Sequence, residues 1–198
     1  MNYVVNRPAG QAVRERAKIL ASYIDKLSTP SFSALSIACG HLREASFSTT
    51  ILENKAHLFA MDHDPVSLDE VKRSLPGANI TTIKESVFEL VRGNKDISSV
   101  DFVYSAGLYD YLKPGIAKRL TSYMFKTLNS RGTLLVTNFT PYTPDIGYME
   151  SFMGWDLIYR THEDMLGLLQ HINEDEIAST KIFYNKDRSL VFLEVTKT

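Results

Sequence analysis

The sequence predicts an α/β protein, with a three-layer, doubly wound sheet of about seven strands that is mostly parallel and ends in an antiparallel hairpin. Three observations predict it. Between residues 32 and 138, short apolar runs of strand length alternate with segments of helical period, the pattern of successive βα units. The first run, Phe32-Ser33-Ala34-Leu35-Ser36-Ile37-Ala38-Cys39-Gly40, is bounded by Pro30 and Gly40, and reads as a strand buried on both faces, as central parallel strands are. Residues 178–184 and 190–196, joined across Asn185-Lys186-Asp187-Arg188, read as a closing hairpin.

Length and charge narrow the class. With 198 residues, 44% of them hydrophobic, the chain suits a single domain with a sizeable core. Residues 1–30 form an N-terminal arm and covering helix, and residues 31–198 the main body. A formal net charge of −1, with both signs interspersed, provides no basic field, so no nucleic-acid partner is expected. Cys39 is the single cysteine, which excludes an internal disulfide, and the N-terminus lacks an apolar leader core. A cytoplasmic protein is expected. No apolar run approaches the ~18 residues of a membrane span, and no metal is expected.

In chain order, residues 1–10 carry no period and include Pro8 and Gly10, as a mobile arm or lid piece would. Val13, Ala17, Leu20, Ile24 and Leu27 then step by four and three along one stripe of a helix over 11–28, which Thr29-Pro30 ends. Arg14, Arg16 and Lys18 fall off that stripe. After the turn at Gly40, residues 42–52 suit a helix, residues 57–61 return to strand character, and Asp62 closes the unit. Pro65 can begin the next helix, which Pro76-Gly77 breaks. A strand over 79–84 leads to Ser86, an N-cap with Glu89 three residues on. The fourth strand covers 100–106, followed by a helix over 113–128 closed by Ser130-Arg131-Gly132 and a fifth strand over 133–138. Residues 139–155 lack a period and carry Pro141, Tyr142, Pro144, Tyr148 and Trp155. An excursion of this length reads as a lid or binding loop, with a short helix near 146–153. Thr161 caps a last helix running to Gln170.

A strand, a glycine turn, a helix and a carboxylate about 20 residues later is how a Rossmann-type unit holds a nucleotide ribose. Gly40 and Asp62 fit that spacing. A dinucleotide fingerprint places three glycines in the turn, whereas Ala38 and Leu42 flank Gly40 here. S-adenosylmethionine has no phosphate to cradle and tolerates such a loop, which favours it over NAD or FAD. Residues 34–40 and 59–64 resemble motifs I and II of the class I S-adenosylmethionine-dependent methyltransferases, whose layout of five βα-type strands and a hairpin the chain follows over 32–196. Ser36 stands where that family usually has an acid. Ala38-Cys39-Gly40, Arg43-Glu44, residues 106–112 and residues 155–160 resemble a bacterial group that includes fatty-acid methyl-ester-forming signalling methyltransferases. Those relatives can carry sequence ahead of the point matching Gln11, so the chain is expected to be a short form or an excised domain.

The resemblance and the fold's crevice between the first and fourth strands together nominate the cofactor residues. They are Ala38, Cys39, Gly40 and Arg43 in the loop, Asp62 and His63 after the second strand, Ser86 and Val87 beside the adenine, and Ser105, Ala106 and Gly107 at the end of the fourth. Methyl transfer is an in-line displacement, so alignment and exclusion of water are the main tasks. A carboxylate acceptor needs no base; for a hydroxyl or ammonium, Tyr109, His41 or Glu150 is the candidate, while His162 reads as a solvated helix-start residue. Tyr109 and Tyr111 lie where the methyl group would be presented, and an aromatic face there either attracts the sulfonium or packs in the core. Asn138, Tyr142, Tyr148, Trp155 and Tyr159 are acceptor-site candidates. Arg160 either holds an acceptor carboxylate or pairs with Asp156 or Glu163. The expected function is methyl transfer from S-adenosylmethionine to a small-molecule or lipid-like acceptor. The alternatives are a catalytically silent cofactor-binding or interaction domain and a nucleotide-dependent oxidoreductase.

Overall fold

A computed structural model describes residues 7–93, 97 and 99–198, and the part of the expected arm at residues 1–6 lies outside them. The chain opens with α1 (Pro8–Leu27). Pro8 sits in its first turn, where a missing N–H costs nothing. Arg7 supplies no side-chain cap, and the carboxylate of distant Asp145 accepts from Ala9 N at 3.2 Å instead. Residues 8–10, read from sequence as arm, are therefore helical because a tertiary partner caps them.

Seven strands follow: β1 (Ser33–Ile37), β2 (His57–Asp62), β3 (Ile80–Lys84), β4 (Val100–Ser105), β5 (Leu128–Phe139), β6 (Ile177–Tyr184) and β7 (Leu190–Lys197). They form one sheet in the order β3-β2-β1-β4-β5-β7-β6. The pairs among β1 to β5 are parallel, and β7 is antiparallel to both β5 and β6. The expected architecture is thus the observed one. Strand order reverses between β1 and β4, which leaves a crevice at their carboxyl ends.

The side-chain period of two sorts the core into two layers. Ala34, Phe102, Tyr104 and Leu135 point to one face and pack with Leu20 and Ile24 of α1, Ile51 of α2 (Thr49–Leu52), and Leu68 and Val71 of α3 (Pro65–Ser74). Leu35, Ile37, Val103, Leu134 and Val136 point to the other, against Leu90 of α4 (Val87–Val91) and Leu120, Met124 and Phe125 of α5 (Pro114–Lys126). Burying each such side chain stabilises by about 1.5–3 kcal/mol.

Three local expectations are corrected. Residues 42–52 form a 3-10 turn (Arg43–Phe47) and then α2 rather than one helix. Asp25 of α1 causes the break: its carboxylate accepts from Thr49 N at 3.2 Å and Thr50 N at 3.0 Å, capping α2 with backbone donors that a continuous helix would use internally. Residues 130–132 lie inside β5, with Arg131 at φ 63° and an irregular register opposite Val100 and Phe102. Gly132 is required there, since a Cβ would stand 2.9 Å from Asn129 O and 3.1 Å from Asp101 O. The expected helix after Thr161 is α7 (His162–Leu166), opened by a capping box with Asp164 and continued as a 3-10 turn (Gly167–His171). The lid helix α6 (Ile146–Met153) stands where the sequence put it.

Candidate functional site

The loop after β1 is built on alternate left-handed residues: Ala38, Gly40 and Leu42 have φ of 53°, 52° and 51°. Only Gly40 adopts that conformation freely; each L-residue there costs roughly 1–2 kcal/mol. Surrounding bonds hold the loop against this strain. Cys39 N donates to Met61 O at 2.9 Å, and Leu42 N to Cys39 O at 2.9 Å. Gly40 N donates to Asp62 Oδ2 at 2.8 Å, while Asp62 Oδ1 accepts from Asp64 N at 2.9 Å. The loop thus holds three left-handed residues with one glycine. Space above Gly40 is open, since a Cβ there would meet no atom within 4 Å.

This loop forms one wall of a cavity of about 300 Å³ at the crevice, between α1 and the segment after β4. Of the residues nominated from sequence, Ala38, Cys39, Gly40, His41, Arg43, Ala106, Gly107 and Tyr111 line it. Sequence reasoning missed its two inner charges, Arg16 of α1 and Glu44 of the 3-10 turn. Arg16 lies against Gly107, where a Cβ would come within 3.0 Å of its Nη2. Its Nη1 is buried without a hydrogen-bond partner, 3.8 Å from Asp110 Oδ2. Glu44 accepts from Tyr104 OH at 2.9 Å. Burial pushes the Glu44 and Asp110 carboxyls up and the Arg16 guanidinium down, while the charges of the acids and Arg16 oppose those shifts. The one signal for Arg16 in the sequence was its position off the apolar stripe. Burial raises the Cys39 thiol to about 12, which makes it an inert wall residue.

The other cofactor candidates stand around the cavity rather than in its wall. Asp62 is 6% exposed and shapes the loop through Gly40. His63 is exposed with Nδ1 3.2 Å from Asp62 Oδ1. Ser105 Oγ donates to Ile37 O at 2.9 Å, clamping β4 to β1 at the switch point. Ser86 caps α4, accepting from Phe88 N at 3.2 Å, and Val87 packs on the α5 layer.

Three acceptor-site expectations are corrected. Tyr109 is fully buried, with its hydroxyl 2.8 Å from Thr121 Oγ1 on the α5 side, so it faces away from the cavity as a core residue. Arg160, 3% exposed, donates to Tyr109 O and Leu112 O, each at 2.5 Å, and to Asn138 Oδ1. Nη1 and Nη2 are engaged by these buried oxygens, so Arg160 is a brace of the fold rather than a surface partner of Asp156 or Glu163. Asn138 Nδ2 donates to Ile158 O at 2.7 Å and completes this brace. Trp155 and Tyr159 are partly buried against the α1 layer. Burial, with the charge of Glu150 adding to it, raises the Tyr159 phenol to about 12. Tyr142 is exposed, and Tyr148 stacks on Phe152 at 5.3 Å beneath the Arg7 guanidinium. Of the base candidates, His41 is exposed at the cavity rim beside Arg43, and Glu150 is exposed on α6. Among the described residues, no group of three or more His, Cys, Asp or Glu could hold a metal, and no helix is long and apolar enough to cross a membrane.

The sequence matches no family model and no curated protein. Solved structures match it along nearly the whole chain. A possible exported protein of Bordetella parapertussis superposes with a TM-score of 0.78 at 17% identity, over 96% of this chain and 70% of that one. The N-methyltransferase NodS from Bradyrhizobium japonicum, in complex with S-adenosyl-L-homocysteine, gives 0.65 at 12% identity over 97% of this chain and 89% of that one. The magnesium protoporphyrin IX methyltransferase ChlM from Synechocystis, with bound S-adenosyl-L-homocysteine, gives 0.64 at 15% over 96% and 87%. The fold is that of the class I methyltransferases. At these identities the likeness is one of architecture. Within the methyltransferase fold, the Gly40 loop occupies the turn after the first strand and Asp62 the end of the second.

Proposed function

We propose that the chain is an S-adenosylmethionine-dependent methyltransferase acting on a small-molecule or lipid-like acceptor. The observation that carries this reading is the cavity at the β1/β4 switch point, walled by the Gly40 turn on one side and by the Arg16 and Glu44 side chains on the other. A guanidinium in the wall suits a carboxylate, and Glu44 beside it suits an ammonium. Together they match the two ends of an α-amino acid. Arg16 and Glu44 would hold the methionine moiety, the Gly40 loop and Asp62 the ribose, and Ser86 and Val87 would border the adenine. The cofactor supplies a methyl group already activated on a sulfonium. The protein then has to align the acceptor and exclude water, with Tyr111 at the cavity mouth as the aromatic neighbour of that path.

Glu44 is engaged by Tyr104, and His41 lies at the exposed rim, so neither is placed as a dedicated base. This favours an acceptor that need not lose a proton, such as the carboxylate of a fatty or other lipid-like acid. The lid bearing Tyr142, Tyr148 and Phe152 would cover it. The single cysteine, unpaired, supports a cytoplasmic setting. Calorimetric titration with S-adenosyl-L-homocysteine and with NAD should give binding for the first alone. Mass spectrometry of a carboxylic-acid panel incubated with S-adenosylmethionine should then show a methyl increment. Binding without turnover on any acceptor would favour the silent cofactor-binding domain, and NAD binding the oxidoreductase.

A further inference from the structure

A second concave surface lies where α4 ends against α5 and the Gly167–His171 turn. This groove of about 290 Å³ is lined by Arg92, Arg119, Lys126 and His171 over a floor that includes Leu90, and among the described residues no carboxylate contributes to its wall. Arg119, Ser122 and Lys126 follow one another at helical spacings of three and four, so they share one face of α5. Ser122 Oγ donates to His171 O at 3.2 Å and fixes the turn against that face. Arg92 is paired with Glu89 at 2.6 Å. Arg119, Lys126 and His171 make no ion pair among the described residues. Lys126 also complements the carboxyl end of α5, whereas Arg119 has no such partner among the described residues. In a chain of net charge −1, gathering unpaired basic groups in one groove is repulsive unless an anion joins them.

We propose that this groove binds a phosphate-bearing small molecule. A guanidinium fork together with ammonium and imidazole donors suits a tetrahedral oxyanion, and the apolar floor suits a small carbon group attached to it. The volume is at the lower end of small-molecule sites, and a nucleic acid would need an extended basic stripe that the chain lacks. The groove is separate from the crevice: Thr127, just past Lys126, accepts from Val100 at the start of β4, whereas the cavity lies beyond the end of that strand. The site therefore stands independently of the methyltransferase reading.

The test is titration of the whole chain with inorganic phosphate and phenyl phosphate, at ionic strength held constant with sodium chloride. Saturable binding with a dissociation constant on the order of millimolar is expected, tighter for phenyl phosphate. The double substitution R119Q/K126Q, at two exposed positions, should weaken both by about tenfold or more and leave the melting temperature in chloride unchanged. R119K should retain most of the binding. The absence of saturable binding, or equal binding by the double variant, would overturn the site. A single-stranded oligonucleotide bound far more tightly than phenyl phosphate would overturn it in favour of a nucleic-acid surface.

Discussion

Asp62 Oδ2 accepts the Gly40 N–H at 2.8 Å, so the carboxylate ending β2 is what holds the tip of the loop after β1. Its other oxygen accepts from Asp64 N. Asp62→Ala leaves two backbone donors without their acceptor, and a loss of about 1–3 kcal/mol in chemical denaturation is expected. Affinity for S-adenosyl-L-homocysteine should fall at least about tenfold by calorimetry, since the loop's anchor and the proposed ribose acceptor are lost together. An unchanged affinity in a folded variant would remove the cofactor from this loop.

Ala38 and Leu42 share the left-handed conformation but not its remedy. Glycine at 38 relieves roughly 1–2 kcal/mol of strain against about 0.5–1 kcal/mol of added chain entropy, so Ala38→Gly should stabilise by up to about 1 kcal/mol. Leu42 is buried against the α1 layer, and removing a core leucine costs about 2–5 kcal/mol. Leu42→Gly should therefore destabilise. Urea denaturation of the two variants decides between strain and burial at each position.

Arg16→Gln removes the cation facing the cavity. S-adenosyl-L-homocysteine should bind about tenfold or more weakly, since charge-assisted bonds are worth about 1.5–3 kcal/mol. 5′-Methylthioadenosine, which has no amino-acid end, should bind as it does to the wild type. Equal losses for both ligands would mean that Arg16 only supports the fold of the pocket.

Glu44 has a carboxyl pushed up by burial. Its folded-state value lies above the unfolded one, so the protonated form is favoured on folding. The resulting stability is present below the unfolded value and is lost as pH rises through the folded one. Glu44→Gln, which keeps an acceptor for Tyr104 OH, has no such loss. Its stability relative to wild type should rise as pH increases from acid to neutral, measured by denaturant titration across that range.

Arg160→Ala should act on stability rather than on an acceptor. Leu112 O and Asn138 Oδ1 lose their donor, and Tyr109 O keeps only the bond from Leu112 N, at a cost of about 3 kcal/mol or more. Any loss of turnover should track the unfolded fraction seen by circular dichroism. Full stability with lost turnover would return Arg160 to the acceptor site.

The sequence by itself determined the α/β class, the order of the strands and helices, the closing hairpin and the place of the crevice. These follow from local quantities: apolar runs of strand length, helical spacing in 13–27, the turn at Gly40, the cap at Thr161. The turn was legible at Gly40 alone, because Ala38 and Leu42 are not residues that favour the left-handed region, and the loop holding them is pinned from a distance by the bonds to Met61 and Asp62. Tertiary structure also decided which side chains face the crevice. Arg16 reaches it because α1 crosses the sheet above Gly107, a relation between residues 91 positions apart that no local period carries. The 3-10 turn Tyr109–Tyr111 sends its two tyrosines in opposite directions, Tyr109 into the α5 layer and Tyr111 to the cavity mouth. Arg160 and Asn138 resemble site residues in sequence, but the backbone carbonyls of Leu112 and Ile158 take their donors from these two side chains, and burying those carbonyls drew both into the frame.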